Sequence, residues 1–351
     1  MSRTVFYVEV PNFYAEVERA DQPALAGRPV VVGGDPRKRG VVVSLTPEAR
    51  AAGVSEGMEM LKALECCPSA HACRTRMRRY REVAFLLRTC LARVLPCIEP
   101  TGLAAAFLDG SQRTERAEDL AAQLRRGVAE ELRLPLHAGI ATVKFLAKLA
   151  SQTPGPEGVQ RVPPGTEHTF LAELPIARLP GVGPNTEEKL AALAIRTVGQ
   201  LAASDRAQLE EVLGNHGLAL HALARGQGDD RVRATWQPQS LSQETTLPTP
   251  LRDFSQLQEV LDQLAKKLQE ILELHGLAGR RIQIKLRFGD TESCTRSCTL
   301  PRFVRRAQEI SGAALELLVR TQAAERAVSK IGVSVSSLAS TAVPESQLEL
   351  F

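Results

Sequence analysis

Thr4–Val10 is a run of β-branched and aromatic residues that predicts a strand, and similar runs follow at Pro29–Gly33, Gly40–Leu45, Leu103–Asp109 and Leu136–Ala141. Between them, apolar positions return at helical spacing over Arg78–Val94, Glu115–Leu132 and Val143–Ser151. Strands alternating with helices in this way predict a sandwich of sheet and helices, the sheet being completed by segments distant in the chain. The turn Gly33-Gly34-Asp35-Pro36 reads as a hairpin inserted into that pattern.

Thr153-Pro154-Gly155-Pro156 and Pro163-Pro164-Gly165 break the periodicity and mark a domain edge. Short helices follow, centred on Leu179-Pro180-Gly181-Val182-Gly183 and the helix Asn185–Leu193. Gly181 and Gly183 can turn tightly and leave backbone N–H groups open at a helix start, which suits a phosphate. After a polar stretch from Gln227 to Pro238, the last third predicts the order strand, helix, strand, strand, helix, strand. Its clearest strand is Arg281–Phe288, where Ile282, Ile284, Leu286 and Phe288 face one way and Arg281, Gln283, Lys285 and Arg287 the other. One face is core and the other basic. Ser293, Thr295, Ser297 and Thr299, with Lys330, Ser334 and Ser336, extend the polar face and make it a candidate surface for nucleic acid.

The 351 residues suffice for two or three domains, and no apolar run approaches the roughly 20 residues of a membrane span, so a soluble, cytoplasmic protein is expected. Neither the seven cysteines nor the six histidines show metal-ligand spacing, and reduced thiols are expected. The net charge of +4 changes little. The arginines at 74, 76, 78, 79 and 81 form a basic cluster that suits a solvated helix face as well as a DNA contact.

Several segments in order carry a resemblance. They are Tyr7–Glu18; Gly40–Val43 with Glu48-Ala49-Arg50; Gly139-Ile140-Ala141 with Lys144–Ser151; Gly181–Gly183 with Thr197–Leu201; and Leu223–Gly226. Together they resemble the Y-family translesion DNA polymerases of the DinB and UmuC type. The resemblance implies an α+β fold of right-hand architecture, with a ferredoxin-like palm, fingers, a helix-hairpin-helix thumb and an α+β little finger. It places the palm at 1–23 and 78–165, fingers at 24–77, thumb at 166–232, a linker at 233–239, the little finger at 240–342 and a tail at 343–351. DNA contacts are then expected at Gly181, Gly183, Arg281, Lys285, Arg287 and Lys330.

The family's reaction uses two Mg²⁺ ions held by palm carboxylates, and here the corresponding positions are Glu9, Pro11, Ala104 and Ala105. Glu99, Pro100, Leu108 and Asp109 fix that register. Asp109 lies five residues beyond Ala104, is expected on the opposite strand face, and is given a structural role. Of the residues that meet the triphosphate, Arg50 remains while Pro47 stands for the tyrosine; Tyr14, at the position that excludes ribonucleotides, is expected to be a packed palm aromatic. Losing one well-placed charged group commonly costs a factor on the order of 10³. The expectation is therefore no catalysis, no metal and no cofactor: a non-enzymatic adaptor like the ImuB branch, acting in damage-induced mutagenesis with DNA, the β sliding clamp, an error-prone C-family polymerase and ImuA as partners and no membrane. The clamp would take the terminal peptide through Gln347, Leu348, Leu350 and Phe351. The alternative is a weakly active or atypical-metal translesion polymerase that uses Mg²⁺ with Glu9.

Overall fold

The computed structural model describes residues 3–153, 155–234, 238–289, 292–321, 323 and 325–340. Its first unit, Met1–Trp236, opens with β1 (Val5–Glu9) and α1 (Phe13–Asp21). A small sheet follows, made of β2 (Val30–Gly33), β3 (Val42–Leu45) and, after α2 (Pro47–Ala51) and α3 (Met60–Cys66), β4 (His71–Arg74). Strand β2 pairs antiparallel with β3, as the glycine turn requires, and parallel with β4. The chain returns through α4 (Met77–Val94), β5 (Ile98–Pro100), β6 (Ala105–Asp109), α5 (Ala117–Leu132), β7 (His137–Ala141), α6 (Lys144–Ser151) and β8 (Val159–Arg161).

These strands form a sheet in the order β5-β6-β1-β7-β8, with β1 central and antiparallel to both neighbours. Both faces are covered. Phe6, Val8 and Val10 pack with Tyr80, Leu87, Leu120 and Leu124 from α4 and α5, whereas Val5 and Tyr7 meet Phe145, Leu146 and Leu149 of α6. A strand buried on two sides needs no polar alternation, which explains the unbroken apolar run at its position. The strand expected from Leu103 begins at Ala105, because the turn out of β5 uses the preceding residues and closes with Thr101 N–H donating to Ala105 O at 3.0 Å.

Five short helices complete the unit: α7 (Glu167–Ala172), α8 (Pro184–Ala192), α9 (Val198–Ala203), α10 (Arg206–Leu213) and α11 (Asn215–Ala224). Helix α9 starts on a reciprocal cap in which Thr197 and Gln200 satisfy one another's backbone amides.

The second unit, Gln237–Phe351, contains β9 (Ser240–Leu251), α12 (Phe254–Leu274), β10 (Leu277–Phe288), β11 (Ser293–Val304), α13 (Ala307–Val319) and β12 (Val328–Ser340). The element order is the expected one. All neighbouring strands are antiparallel, in the order β11-β10-β12-β9. Leu257, Leu261, Leu264 and Leu268 of α12 and Ile310, Leu317 and Leu318 of α13 cover the face that carries Ile282, Ile284, Leu286 and Phe288. No described helix is long and apolar enough to cross a membrane.

Candidate functional site

Glu9 ends the central strand of the first sheet, paired across it with Ala105 on one side and His137 on the other. Its carboxylate Oε1 accepts a hydrogen bond of 2.9 Å from Ser151 Oγ on α6. That contact depends on Gly139 in β7: a Cβ there would lie 1.9 Å from Ala147 O and 2.4 Å from Ser151 N. Only glycine lets the helix lie so close to the strand. Burial holds the His137 imidazole below its ordinary pKa although Glu9 pulls the other way, so this neighbour is neutral near pH 7.

At the other positions expected to bear metal ligands, the structure places Pro11 beyond the strand end, the methyl of Ala105 on the Glu9 face and Ala104 against the opposite core. Asp109 pairs with Val5 as Ala105 pairs with Glu9, so it faces away from Ala104, as expected, and lies on the Glu9 side at the far end of the strand, about 13 Å away by strand rise. Its Oδ1 accepts from Ser111 N at 2.8 Å, which is the structural part expected of it. Two divalent ions need several carboxylates to offset their charge. Among the described residues no three His, Cys, Asp or Glu side chains stand close enough to share a metal ion, and the palm side chains by themselves do not fit a two-ion cage.

Beside Glu9 runs a cleft lined by Tyr7, Asn12, Phe13, Tyr14, Ser44, Glu56 and the turn 101–105. Asn12 sits in the left-handed region (φ 52°), which asparagine tolerates better than most residues, and this turns the chain from β1 into α1. Its side-chain oxygen accepts from Arg50 Nη2 at 3.3 Å, while Glu56 takes the same nitrogen at 3.4 Å, so Arg50 is held at the rim of the cleft. Tyr14 lines the cleft and stacks on Tyr80 with centroids 4.4 Å apart. Tyr80 in turn donates 2.6 Å to Glu18, whose carboxylate is also gripped by Arg76. Tyr14 is thus both packed and at the site. The sequence reading missed Tyr80 as its support; a carboxylate at Glu18 on the apolar face of α1 was the available signal.

The second unit gathers the residues expected to meet nucleic acid. Arg281, Gln283, Lys285 and Arg287 face Thr299, Ser297, Thr295 and Ser293 on β11, and Ser336, Ser334, Gly332 and Lys330 on β12, so one polar face crosses the sheet. Arg281, Lys285 and Arg287 are exposed. Lys330 is engaged by Glu244 and contributes less free charge than its neighbours. In the helical part of the first unit, Gly181 has φ +92° and its carbonyl meets His216 Nε2 at 3.1 Å, while Gly183 precedes α8. Pro184 occupies the first turn of that helix and removes one of the amides a phosphate would use. Gln347, Leu348, Leu350 and Phe351 lie outside the described residues.

Known proteins resemble the chain along its whole length. The impB/mucB/samB family matches residues 8–152, its C-terminal domain residues 238–350, and the thumb domain of DNA polymerase iota residues 177–228. DNA polymerase IV of Halorhodospira halophila is 39% identical over 339 residues, covering 96% of this chain and 95% of that protein. DNA polymerase IV of Alkalilimnicola ehrlichii is 35% identical over 354 residues, covering 99% of each. Among solved structures, a Y-family polymerase chimera, Dbh-Dpo4(243-245)-Dbh, has a TM-score of 0.84 at 24% identity, covering 96% of this chain and 99% of its own. An insertion ternary complex of Dbh DNA polymerase has a TM-score of 0.70 at 25% identity, covering 95% and 98%. Full-length relatives named as polymerases overturn the expectation of a non-enzymatic chain. That expectation treated the protein as the sole source of metal ligands, whereas phosphates of a nucleotide also bind Mg²⁺.

Proposed function

The chain belongs to the impB/mucB/samB family of Y-family DNA polymerases, and from that premise we propose that it is a template-directed DNA polymerase of the weak or atypical-metal kind, acting in error-prone translesion synthesis. One observation carries the reading: the 39% identity to a DNA polymerase IV over 96% of the chain, spanning palm, helical thumb and little finger alike. Within it, Glu9 is the palm carboxylate that remains at a ligand position, held in place by Ser151. Arg50 reaches the triphosphate from the rim, and Tyr14 packs under the sugar. Arg281, Lys285 and Arg287 grip the phosphates of the DNA, with Gly181 and Gly183 contributing backbone from the thumb. The terminal Gln347-Leu348-Glu349-Leu350-Phe351 suits a sliding clamp, with apolar anchors behind an amide.

Protein ligation this sparse predicts slow turnover, on the order of 10³-fold or more below an enzyme with a full carboxylate set. The test is single-turnover extension of a labelled primer by the purified chain and by Glu9→Gln, with Mg²⁺ and with Mn²⁺. Incorporation that is detectable in the parent and at least 10-fold slower in the variant is expected. Equal rates in parent and variant would remove Glu9 from the site.

A further inference from the structure

Helix α4 turns two neighbouring apolar side chains outward. Phe85 is 63% exposed and Leu86 44%, while Tyr80, Val83, Leu87 and Leu91 of the same helix are buried against the sheet. Leu86 also lines a cavity of about 260 Å³ between α1, α4 and the end of α5, where Val17 and Leu134 supply more apolar wall. Phe85 stands in the adjoining depression with Arg81, and Leu86 and Arg79 belong to both, so the two form one groove. Its charges are unequal. In the arginine cluster that begins α4, Arg74 pairs with Asp35, Arg76 with Glu18 and Asp21, Arg78 with Glu82 and Arg79 with Asp21. Glu131, at the cavity, is taken by Arg93 at 2.6 Å. The carboxylates of the groove, Asp21, Glu82 and Glu131, are therefore matched already. Arg81, one helical turn before Phe85, and Arg133, at the cavity, are exposed, and their guanidinium groups make no ion pair or hydrogen bond among the described residues.

We propose that this groove docks an acidic segment of a partner protein: an apolar side chain of the partner covers Phe85 and enters the cavity beside Leu86, and carboxylates on either side of it pair with Arg81 and Arg133. Aromatic and arginine side chains are the groups on which strong protein contacts most often rest, and here an exposed phenylalanine lies one helical turn from an unpaired arginine. Charge decides between occupants. A second copy laid groove to groove would bring Arg81 and Arg133 against like charges, which opposes association. Nucleic acid would satisfy the arginines and leave the apolar wall at Val17 and Leu134 unfilled. An acidic segment with an apolar anchor answers both parts of the groove. Helices α4 and α5 cover the sheet face opposite to Glu9, so an occupied groove leaves the cleft beside Glu9 open. The inference stands apart from catalysis and does not require the polymerase reading.

The test uses the full chain and two labelled synthetic peptides, one with a phenylalanine-leucine pair between runs of glutamate and one with serines in place of that pair. Fluorescence anisotropy near physiological salt follows their binding to the parent, to Phe85→Ser and to the double variant Arg81→Glu with Arg133→Glu. All three substitutions fall on exposed side chains, and the denaturant unfolding midpoint checks that each variant is folded; if one is not, the other decides. Binding of the first peptide by the parent, weakened about 10-fold or more in each variant, is expected. No binding by the parent, or equal binding in the parent and a folded variant, overturns the proposal. The serine peptide binding as tightly as the first also overturns it, since a site for a polyanion such as nucleic acid needs no apolar anchor. So does self-association of the parent in sedimentation that Phe85→Ser abolishes, because the groove then belongs to a second copy.

Discussion

Glu18 is 2% exposed, and a lone carboxylate at that depth would be costly; three hydrogen bonds from two side chains make it tolerable. Arg76 binds both oxygens at 2.9 and 2.7 Å and Tyr80 adds a third hydrogen bond at 2.6 Å. Tyr80→Phe removes one donor and keeps the ring stacked on Tyr14, so a loss of about 1.5–3 kcal/mol is expected in denaturant unfolding. Asp21, beside this network, is held below the usual carboxylate range, first by the hydrogen bond from Arg79 and then by Arg76. A lowered folded value means that its stabilisation is fully present above the ordinary pKa near 3.8 and is lost as pH falls through the lower folded one. Asp21→Asn is therefore expected to flatten the acid limb of the stability curve below about pH 4, and to leave its neutral and alkaline parts parallel to the parent's. Glu9, Tyr14 and Arg50 were legible because they stand in a motif. Tyr80 was not, since what marks it is contact with a residue 62 positions away, and Lys144, though it stands in a motif, gains its partners Glu99 and Asp229 only in the fold.

Helix α6 shows how one element serves two ends: Ser151 at its C-terminal end holds Glu9, and Lys144 at its start bridges Glu99 and Asp229. Its eight residues are good helix formers but too few to hold a helix in isolation, and tertiary packing supplies the rest. Strand β10 is the opposite case. Strict alternation between a buried and a solvated face fixed its register in the sequence, because a slip by one residue would bury Arg281, Lys285 and Arg287. These three charges are expected to release counterions on binding DNA. Changing all three to alanine should lower affinity and reduce the slope of log affinity against log salt by about 2–3, read by fluorescence anisotropy; an unchanged slope would take this face out of the DNA contact. Strand β4 left no such mark. His71–Arg74 has one buried side chain, Cys73, and pairs with a strand some 40 residues earlier, so no local pattern announces it.

Over the whole molecule, the two larger sheets are built on the order strand, helix, strand, strand, helix, strand, yet their strand orders differ: β5-β6-β1-β7, extended by β8, in the palm and β11-β10-β12-β9 in the second unit. The α+β class was therefore readable from element order, while pairing across the sheet was not, since it depends on contacts made only on folding. At this scale also belongs the terminal peptide. Removal of Gln347–Phe351 is expected to lower affinity for a sliding clamp at least 10-fold in surface plasmon resonance and to leave DNA affinity within 2-fold; equal losses of both would contradict that separation. The functional lesson lies in the balance between scales. Residue by residue, a carboxylate deficit around Glu9 argued for an inert palm, whereas identity to DNA polymerases spread over the full chain argues for an active one. Primer extension by the unmodified chain on four templates that differ only in the templating base decides most directly, with Mg²⁺ and Mn²⁺ in parallel and a protein-free blank. Slow addition whose base follows the template is the predicted result; no addition above the blank with either ion would contradict it.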